Sequence, residues 1–351
     1  MGFRNTGILE FQKPKTIRIM KTLFDSFNNK KIMIVGDIML DVYMEGKVER
    51  ISPEAPVPIV SVTEKFSRLG GAANVAQNIC ALGAEAVLCS VIGIDDNAKE
   101  LLSILKANNM PTHGIIDSTD RITTSKVRVI GNKAQMLRID TEDTFDLTEE
   151  EQSKLLDRIV HIIENEIIDG IILQDYNKGV LTETLIKEVI SIANKNNIPT
   201  AVDPKRNNFL AYKNVSIFKP NLKELKEGLG INIDRKDINS ILNAIDILQD
   251  NLSCRYIMTT LSEDGVMIKD YKESVYHHIP AHLRKIADVS GAGDTVLSVA
   301  MLCLVSGQNA YNIAALSNLA GGLVCEELGA VPINKEKLFE ETKKIYKEDT
   351  L

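Results

Sequence analysis

Residues 31–41 read KIMIVGDIMLD, and this short stretch indicates the fold class. Residues 32–35 are all apolar, which predicts a strand buried on both faces, as in a parallel sheet covered by helices. Asp37 and Asp41 follow at the carboxyl end of that strand, the edge of such sheets where ligands bind. An aspartate in this place is well suited to binding hydroxyl groups of a ligand.

Strands and helices alternate along the rest of the chain. The hydrophobic patterns predict strands at 86–93, 169–175, 198–204, 215–220 and 255–260, and a hairpin at 264–279. They predict helices at 73–82, 97–107, 149–165, 183–195, from 221 onward, 292–306 and 310–327. Such alternation predicts an α/β fold with a mainly parallel central sheet and helices on both faces.

Two segments interrupt this alternation. Residues 42–66 contain SPEAPVPIVSV, whose prolines exclude a helix, and residues 123–139 predict a hairpin turning at Gly131-Asn132. We expect them to pair as a small sheet that acts as a lid and is covered by a second copy of the chain in a homodimer. The alternative is that these strands are decorative.

The domain organisation follows from these patterns. We expect an N-terminal arm with a short helix at 1–29, with the helix near 20–27, and one α/β domain at 30–340. The lid strands lie within that domain at about 42–66 and 121–140, and a C-terminal tail at 341–351 follows it.

Composition limits the classes of function. The 351 residues carry a net charge of −7, which argues against a nucleic-acid partner. The five cysteines are scattered and never spaced CxxC, so we expect reduced thiols and a cytoplasmic protein. The longest apolar run, 296–305, is too short to cross a bilayer, so we expect no membrane partner.

Residues 288–298, DVSGAGDTVLS, place an acid directly behind two glycines at a helix start. The free N–H groups of Gly291, Ala292 and Gly293 suit a phosphate or a developing anion. Asp294 in that first turn is favoured in its ionised form and is able to take a proton from a hydroxyl. The alternative is an ordinary helix start, with Ser290 as the cap.

Two further motifs begin helices. GGAANVAQN (70–78) has paired glycines that allow close approach of a ligand, and Asn74 is placed to bind hydroxyl groups; alone, the motif is equally explained by close helix packing. In KPNLKELKE, Asn221 and Glu224 form either a capping box or a site directed at magnesium-bound phosphate.

These motifs occur together in an order typical of one family. GGAANVAQN, DPK (203–205), PNLKE (220–224), TTLSEDG (259–265) and DVSGAGDT make the chain resemble the ribokinase-like (PfkB) sugar kinases over residues 22–340. VGDIMLDVYMEGKVERISPEAPVPIV, QMLRID and DYNKGVL are similar to kinases of D-glycero-β-D-manno-heptose 7-phosphate. Such kinases are often fused to a nucleotidylyltransferase, and the length of this chain resembles the stand-alone form.

The resemblance implies a fold, a reaction and a set of site residues. It implies a ribokinase-like fold, ATP and Mg²⁺ as cofactors, and phosphorylation of the heptose at O1 to the 1,7-bisphosphate for ADP-heptose and lipopolysaccharide synthesis. Asp294 matches the catalytic base, and Gly291, Ala292 and Gly293 match the anion hole. The nucleotide and magnesium side matches Asn221, Glu224, Thr260, Ser262, Gly265, Asn318 and Gly322, and the sugar side matches Asp41, Gly70, Gly71 and Asn74.

The resemblance also implies sites for a monovalent cation and for the phosphate of the substrate. A monovalent cation such as K⁺ would be held beside the anion hole by Asp288 and Ser290. Lys178, Lys205, Arg138 and Arg50 are candidates for the substrate phosphate, although each could be a solvated charge or the partner of an acid, as Asp175 would be for Lys178.

The chain departs from the family at one motif and leaves alternatives open. Where the family often has SDYGKG, residues 174–179 read QDYNKG, so Asn177 must tolerate the backbone angle of a glycine. The alternative functions are a kinase of fructose 6-phosphate, ribose or a nucleoside, or a non-catalytic sensor. The intact Asp294 and its glycines argue against the sensor.

Overall fold

The computed structural model describes residues 13–282 and 284–348. The first twelve residues of the predicted N-terminal arm and the last three of the predicted tail lie outside these ranges. The strands are β1 Lys31–Gly36, β2 Ile38–Ile51, β3 Pro58–Gly71, β4 Glu85–Gly93, β5 Ile115–Ser118, β6 Ser125–Gly131, β7 Ala134–Thr141, β8 Gly170–Gln174, β9 Thr200–Asp203, β10 Ile217–Phe218, β11 Tyr256–Thr260, β12 Val266–Asp270 and β13 Val275–Ile279. The helices are α1 Lys13–Ser26, α2 Ala72–Ala81, α3 Asp96–Ala107, α4 Glu149–Asn165, α5 Glu183–Lys195, α6 Leu222–Leu229, α7 Ile238–Leu252, α8 Ala292–Val305, α9 Ala310–Val324 and α10 Lys335–Glu348.

A central sheet has the strand order β13-β12-β11-β10-β9-β8-β1-β4-β5. The strands from β11 to β5 are parallel, and β12 and β13 add an antiparallel hairpin at one edge. Side chains of β1 alternate between the two faces: Ile32 and Ile34 join one apolar core, and Met33 and Val35 join the other. Helices cover both faces, so the predicted α/β class is confirmed.

The second sheet has the order β3-β2-β6-β7 and forms the lid. Its two long strands continue directly from the body: only Asp37 separates β1 from β2, and β3 ends where α2 begins. The turn between β6 and β7 consists of Asn132 and Lys133, with φ of 52° and 66°, one residue later than predicted. All of β7 is exposed, including Leu137 and Ile139, so this edge strand of the lid is uncovered.

The structure contains elements that the sequence patterns did not predict. Strand β5 and helices α7 and α10 were not predicted, and α1 is longer than the short helix expected near residues 20–27. Because α10 continues to Glu348 and buries Thr342 completely, the predicted boundary before residue 341 falls inside a helix. Phe24 of α1 packs on Phe339 of α10, with ring centroids 5.2 Å apart. Within the described ranges, no helix is long and apolar enough to cross a membrane.

Candidate active site

The first turn of α8 lies against the carboxyl ends of the central strands. Asp294, in this turn, is only 4% exposed. Its Oδ2 accepts a hydrogen bond from Asn74 Nδ2 at 2.6 Å, and its Oδ1 accepts from the Tyr176 hydroxyl at 2.8 Å and from Gln174 Nε2 at 3.1 Å. The fold therefore holds this carboxylate with three donors that come from α2, β8 and the loop after β8.

Burial, together with the negative charge of Asp203, raises the pKa of Asp294 to about 6. The hydrogen bonds from Asn74 and Tyr176 and the charge of Lys219 oppose this rise. A carboxylate with a pKa near 6 is ionised at neutral pH and still basic enough to accept a proton. The geometry thus provides a buried base at a helix start.

A row of alternating charges continues from this carboxylate. Asp203, at the end of β9, lies 3.1 Å from Lys219 Nζ and 3.5 Å from Lys205 Nζ. Lys205 also pairs with Glu224 at 2.6 Å. Burial alone would raise the pKa of Asp203, but the two lysines bring it below its ordinary value. Lys219 therefore lies beside the first turn of α8, and Lys205 lies at the other oxygen of Asp203.

The glycines of that turn have distinct roles. Gly291 has φ 77°, and a Cβ there would lie 2.9 Å from Asn74 Nδ2, so the position requires glycine. A Cβ on Gly293 would lie 3.6 Å from Asp203 Oδ2 and 3.7 Å from Lys219 Nζ. The N–H groups of Gly293 and Asp294 have no acceptor within the helix, because they belong to its first turn. Amides without a helical acceptor and a lysine cation thus meet at Gly293, as an anion requires, and the carboxylate of Asp203 lies beside them.

Ser290 does not cap α8, so the alternative of a serine-capped helix is wrong. Gly291 is the N-cap residue, and no side chain bonds there. Ser290 instead donates both its N–H and its hydroxyl to Asp288 Oδ1, and Asp288 Oδ2 accepts from Gly329 N at 2.9 Å. Ala292 N donates to Val289 O at 3.3 Å, so the amide of Ala292 already has a partner.

The predicted pair at the start of α6 forms a capping box. Asn221 Oδ1 accepts from Glu224 N, and Glu224 Oε2 accepts from Asn221 N, both at 2.8 Å. The other carboxylate oxygen of Glu224 meets Lys205, which joins this helix start to the charged row. In the described ranges, no group of three or more His, Cys, Asp or Glu side chains is arranged to hold a metal ion.

The residues predicted for the nucleotide side lie around the loop from β11 to β12. Thr260 pairs with Asn221 in an isolated bridge, and Ser262 has φ 58° in the tight turn that follows. Gly265 has φ 89°, and a Cβ there would lie 2.0 Å from Ile279 O. On α9, Asn318 donates to Pro280 O at 2.8 Å. A Cβ on Gly322, one turn further on, would meet Arg284 Cδ at 3.4 Å.

On the sugar side, the structure brings Asp41 and the paired glycines together. A Cβ on Gly70 would lie 2.7 Å from Asp41 Oδ2, and Gly71 has φ 59°. Arg128 of β6, which the sequence patterns did not single out, pairs with Asp41 at 2.5 Å. Asp41 is only 6% exposed, so this ion pair connects two lid strands next to the site.

Asp37 does not face a ligand, contrary to prediction. It is 1% exposed, and its oxygens accept from the backbone N–H groups of Tyr176, Lys178 and Val180 at 2.8–3.1 Å. Burial raises the pKa of Asp37 to about 6, and the charge of Asp175 adds to this rise. Its carboxylate thus anchors the 176–180 loop. In that loop Asn177 adopts φ 53°, which confirms that asparagine tolerates this angle.

The candidate cations for a substrate phosphate are mostly paired with acids. Lys178 meets Glu142 at 2.6 Å, so Asp175 is not its partner as the alternative supposed. Arg138 binds Asp140 through two nitrogens on the exposed strand β7. Arg50 is exposed near the end of β2. The structure leaves their role as phosphate ligands a prediction.

Besides Arg128, sequence reasoning missed four residues around Asp294 as functional residues: Gln174, Tyr176, Asp203 and Lys219. Each lies at or just after the end of a parallel strand, and that position was the signal available in the sequence. DPK was noted as a motif, but only Lys205 was assigned a role from it.

A buried base beside an amide-lined anion site, at the carboxyl edge of a parallel sheet, defines an enzyme that transfers an anionic group to a hydroxyl. The family profile described as pfkB family carbohydrate kinase matches residues 29–337. The chain belongs to this family, and it is a sugar kinase.

Curated relatives agree with this assignment, and a solved structure shares the fold. The chain is 38% identical over 319 residues to the bifunctional protein HldE of Aliarcobacter butzleri, covering 91% of this chain and 66% of that protein. It is 39% identical over 310 residues to HldE of Methylobacillus flagellatus, covering 88% of this chain and 62% of that protein. The chain thus spans somewhat less than two thirds of these relatives. Phosphofructokinase-2 from Escherichia coli in complex with potassium has the same fold, with a TM-score of 0.74 at 19% sequence identity. The match covers 91% of this chain and 99% of the phosphofructokinase chain.

Proposed function

We propose that this protein is an ATP-dependent kinase that phosphorylates O1 of D-glycero-β-D-manno-heptose 7-phosphate, within ADP-heptose synthesis. The observation that carries the proposal is Asp294, a buried carboxylate with a pKa of about 6 that is held by three donors beside free helix amides. The heptose is favoured by the resemblance of residues 35–60, 135–140 and 175–181 to kinases of that sugar.

In this reaction Asp294 accepts the proton of the anomeric hydroxyl as its oxygen bonds to the γ-phosphorus. The bond from the γ-phosphorus to the bridging oxygen breaks, and ADP leaves. The N–H groups of Gly293 and Asp294 and the ammonium group of Lys219 stabilise the charge on the transferred group. Asn74, Gln174 and Tyr176 hold the carboxylate toward the hydroxyl. Little else is needed, because phosphoryl transfer depends mainly on positioning and charge stabilisation.

The residues present fit a magnesium–nucleotide complex and a monovalent cation. The N–H groups of Gly293 and Asp294, with Lys219 beside them, suit a phosphate group, and Glu224 with Asn221 supplies oxygen ligands at the adjoining helix start. Magnesium bound there would neutralise charge on the ATP phosphates. K⁺ would be held by Asp288 and Ser290, whose loop adjoins α8. Activity in K⁺ compared with choline salts tests this part of the proposal.

We assign the substrate phosphate to cations beside the site and on the lid strands. Lys178 and Lys205 are the leading ligands, because each has a side chain less than one third exposed and lies beside the site. Arg138 and Arg50 are the outer candidates. The uncovered β7 face of the lid, with Leu137 and Ile139, is proposed to pair with a second copy of the chain.

The deciding experiment follows ADP release with ATP, Mg²⁺ and the β-anomer of the heptose phosphate. Fructose 6-phosphate, ribose and a nucleoside are compared with it by kcat/KM. We expect the heptose phosphate to be preferred by orders of magnitude. No ADP release with the β-anomer would refute the assignment of the sugar. Turnover of another sugar would leave the kinase chemistry in place.

A further inference from the structure

The sequence motif at residues 174–179, QDYNKG, assigned no function to the side chain of Gln174. Gln174 ends β8 and is completely buried. Its Nε2 lies 3.1 Å from Asp294 Oδ1 and 3.5 Å from Asp203 Oδ2, whereas its Oε1 has no hydrogen-bond partner. Leaving a buried carbonyl oxygen without a donor costs free energy. The amide is nevertheless oriented this way because its nitrogen faces two carboxylates.

We propose that Gln174 is a positioning residue for Asp294, whose amide holds Oδ1 of the carboxylate and stands between it and Asp203. This inference rests on the proposed function of Asp294 as the base.

The electrostatic setting explains why a donor is needed at this place. Like charges disfavour each other's ionised forms, and Asp203 is the acid that opposes ionisation of Asp294. The titratable and charged groups that face Asp294 are Asp203 on β9, Lys219 after β10 and Tyr176 after β8, and α2 contributes the neutral Asn74. Gln174 adds to these groups a neutral donor whose Nε2 lies within 3.5 Å of an oxygen of both carboxylates.

The test replaces Gln174 with methionine, which keeps the length and volume of the side chain but removes the amide. The readout is the pH titration of the buried carboxyl by infrared difference spectroscopy, with the band assigned by its loss in Asp294→Asn. We expect the midpoint to rise by about one pH unit in Gln174→Met, because the ionised form has lost a donor. Gln249→Met is the matched control, because Gln249 on α7 also has a buried, unpaired Oε1. It should leave the midpoint unchanged.

A second variant keeps the test decisive if Gln174→Met folds poorly. Gln174→Glu has the same length and places a negative charge next to both carboxylates, so the midpoint should rise further. In kinetics, the acid limb of the kcat/KM profile should move by the same amount, and the KM for ATP should stay unchanged. A midpoint unmoved in the folded variants would overturn the inference. If no sugar phosphate is turned over, the proposed function fails, and the infrared titration still decides the role of Gln174.

Discussion

Replacing Asp294 with asparagine separates two consequences of burying this carboxylate. The side chain is 4% exposed, and burial raises its pKa from 3.8 to about 6. Keeping Asp294 ionised at neutral pH therefore costs the folded protein on the order of 3 kcal/mol relative to the unfolded chain. Asp294→Asn removes that cost together with the base. We expect the variant to be more stable and almost inactive.

The surrounding hydrogen bonds are able to accommodate the amide. Its oxygen, placed at the position of Oδ1, accepts from Gln174 and Tyr176 as the carboxylate does. Its nitrogen then faces Asn74, whose own Oδ1 has no partner in the present structure. Turning the Asn74 side-chain amide over gives the new N–H group an acceptor, so no donor is left opposite a donor.

The expected result is a rise of about 1–3 kcal/mol in the free energy of unfolding at pH 8. Because the folded pKa lies above the unfolded one, wild-type stability increases as the pH falls from about 6 toward 3.8. The advantage of the variant should therefore shrink over that range. The kcat should fall about 10²- to 10⁴-fold at pH 8, where wild-type Asp294 is ionised, because the proton acceptor is gone.

Urea unfolding followed by circular dichroism at pH 8, 6 and 4.5, and ADP release at pH 8, measure these quantities. Asp96→Asn, on the exposed first turn of α3, is a matched control that should change both only slightly. A variant less stable than wild type at pH 8, or a gain that does not vary with pH, would refute the argument from burial. Activity near wild type would remove Asp294 from the role of base.

Three further predictions concern the loops and the lid. Asp37→Ala leaves the N–H groups of Tyr176, Lys178 and Val180 without an acceptor. It should lower the free energy of unfolding by about 1–3 kcal/mol and reduce kcat. Unchanged urea unfolding would contradict this. In Gly265→Ala the new Cβ would meet Ile279 O, so the protein should be destabilised by about 1 kcal/mol or more. The KM for ATP should rise more than the KM for the sugar. Equal rises in the two KM values would argue against a nucleotide-binding role of this loop. Leu137→Lys should convert a dimer to a monomer in sedimentation at micromolar concentration, and a monomeric wild type would exclude the lid interface.

Local signals predicted much of the fold. Helices α4 and α5 have the bounds that the sequence predicts, because Thr148 and Thr182 cap their first turns and apolar residues mark their length. The start of α8 and the capping box at Asn221 were likewise predictable from short motifs. In each case the deciding contacts lie within one helical turn.

Contacts between distant elements were not predictable in the same way. The bond from Gln174 to Asp294 joins residues 120 positions apart and depends on β8 lying beside β9 and beneath α8. The pairing of Lys178 with Glu142 likewise depends on the position of the lid. No pattern in a single sequence specifies such neighbours, so Asp37 was given a ligand-binding role when its actual partners are backbone N–H groups.

The two long lid strands join the body at points that also carry the partners of Asp294. At the start of β2, Asp37 holds the loop that presents Tyr176, and at the end of β3 the chain passes directly into α2, which presents Asn74. If the lid rotates about these two junctions, we expect the segments that orient the carboxylate to shift with it. The proposed closure of the lid over a sugar would therefore be coupled to the alignment of the proposed base.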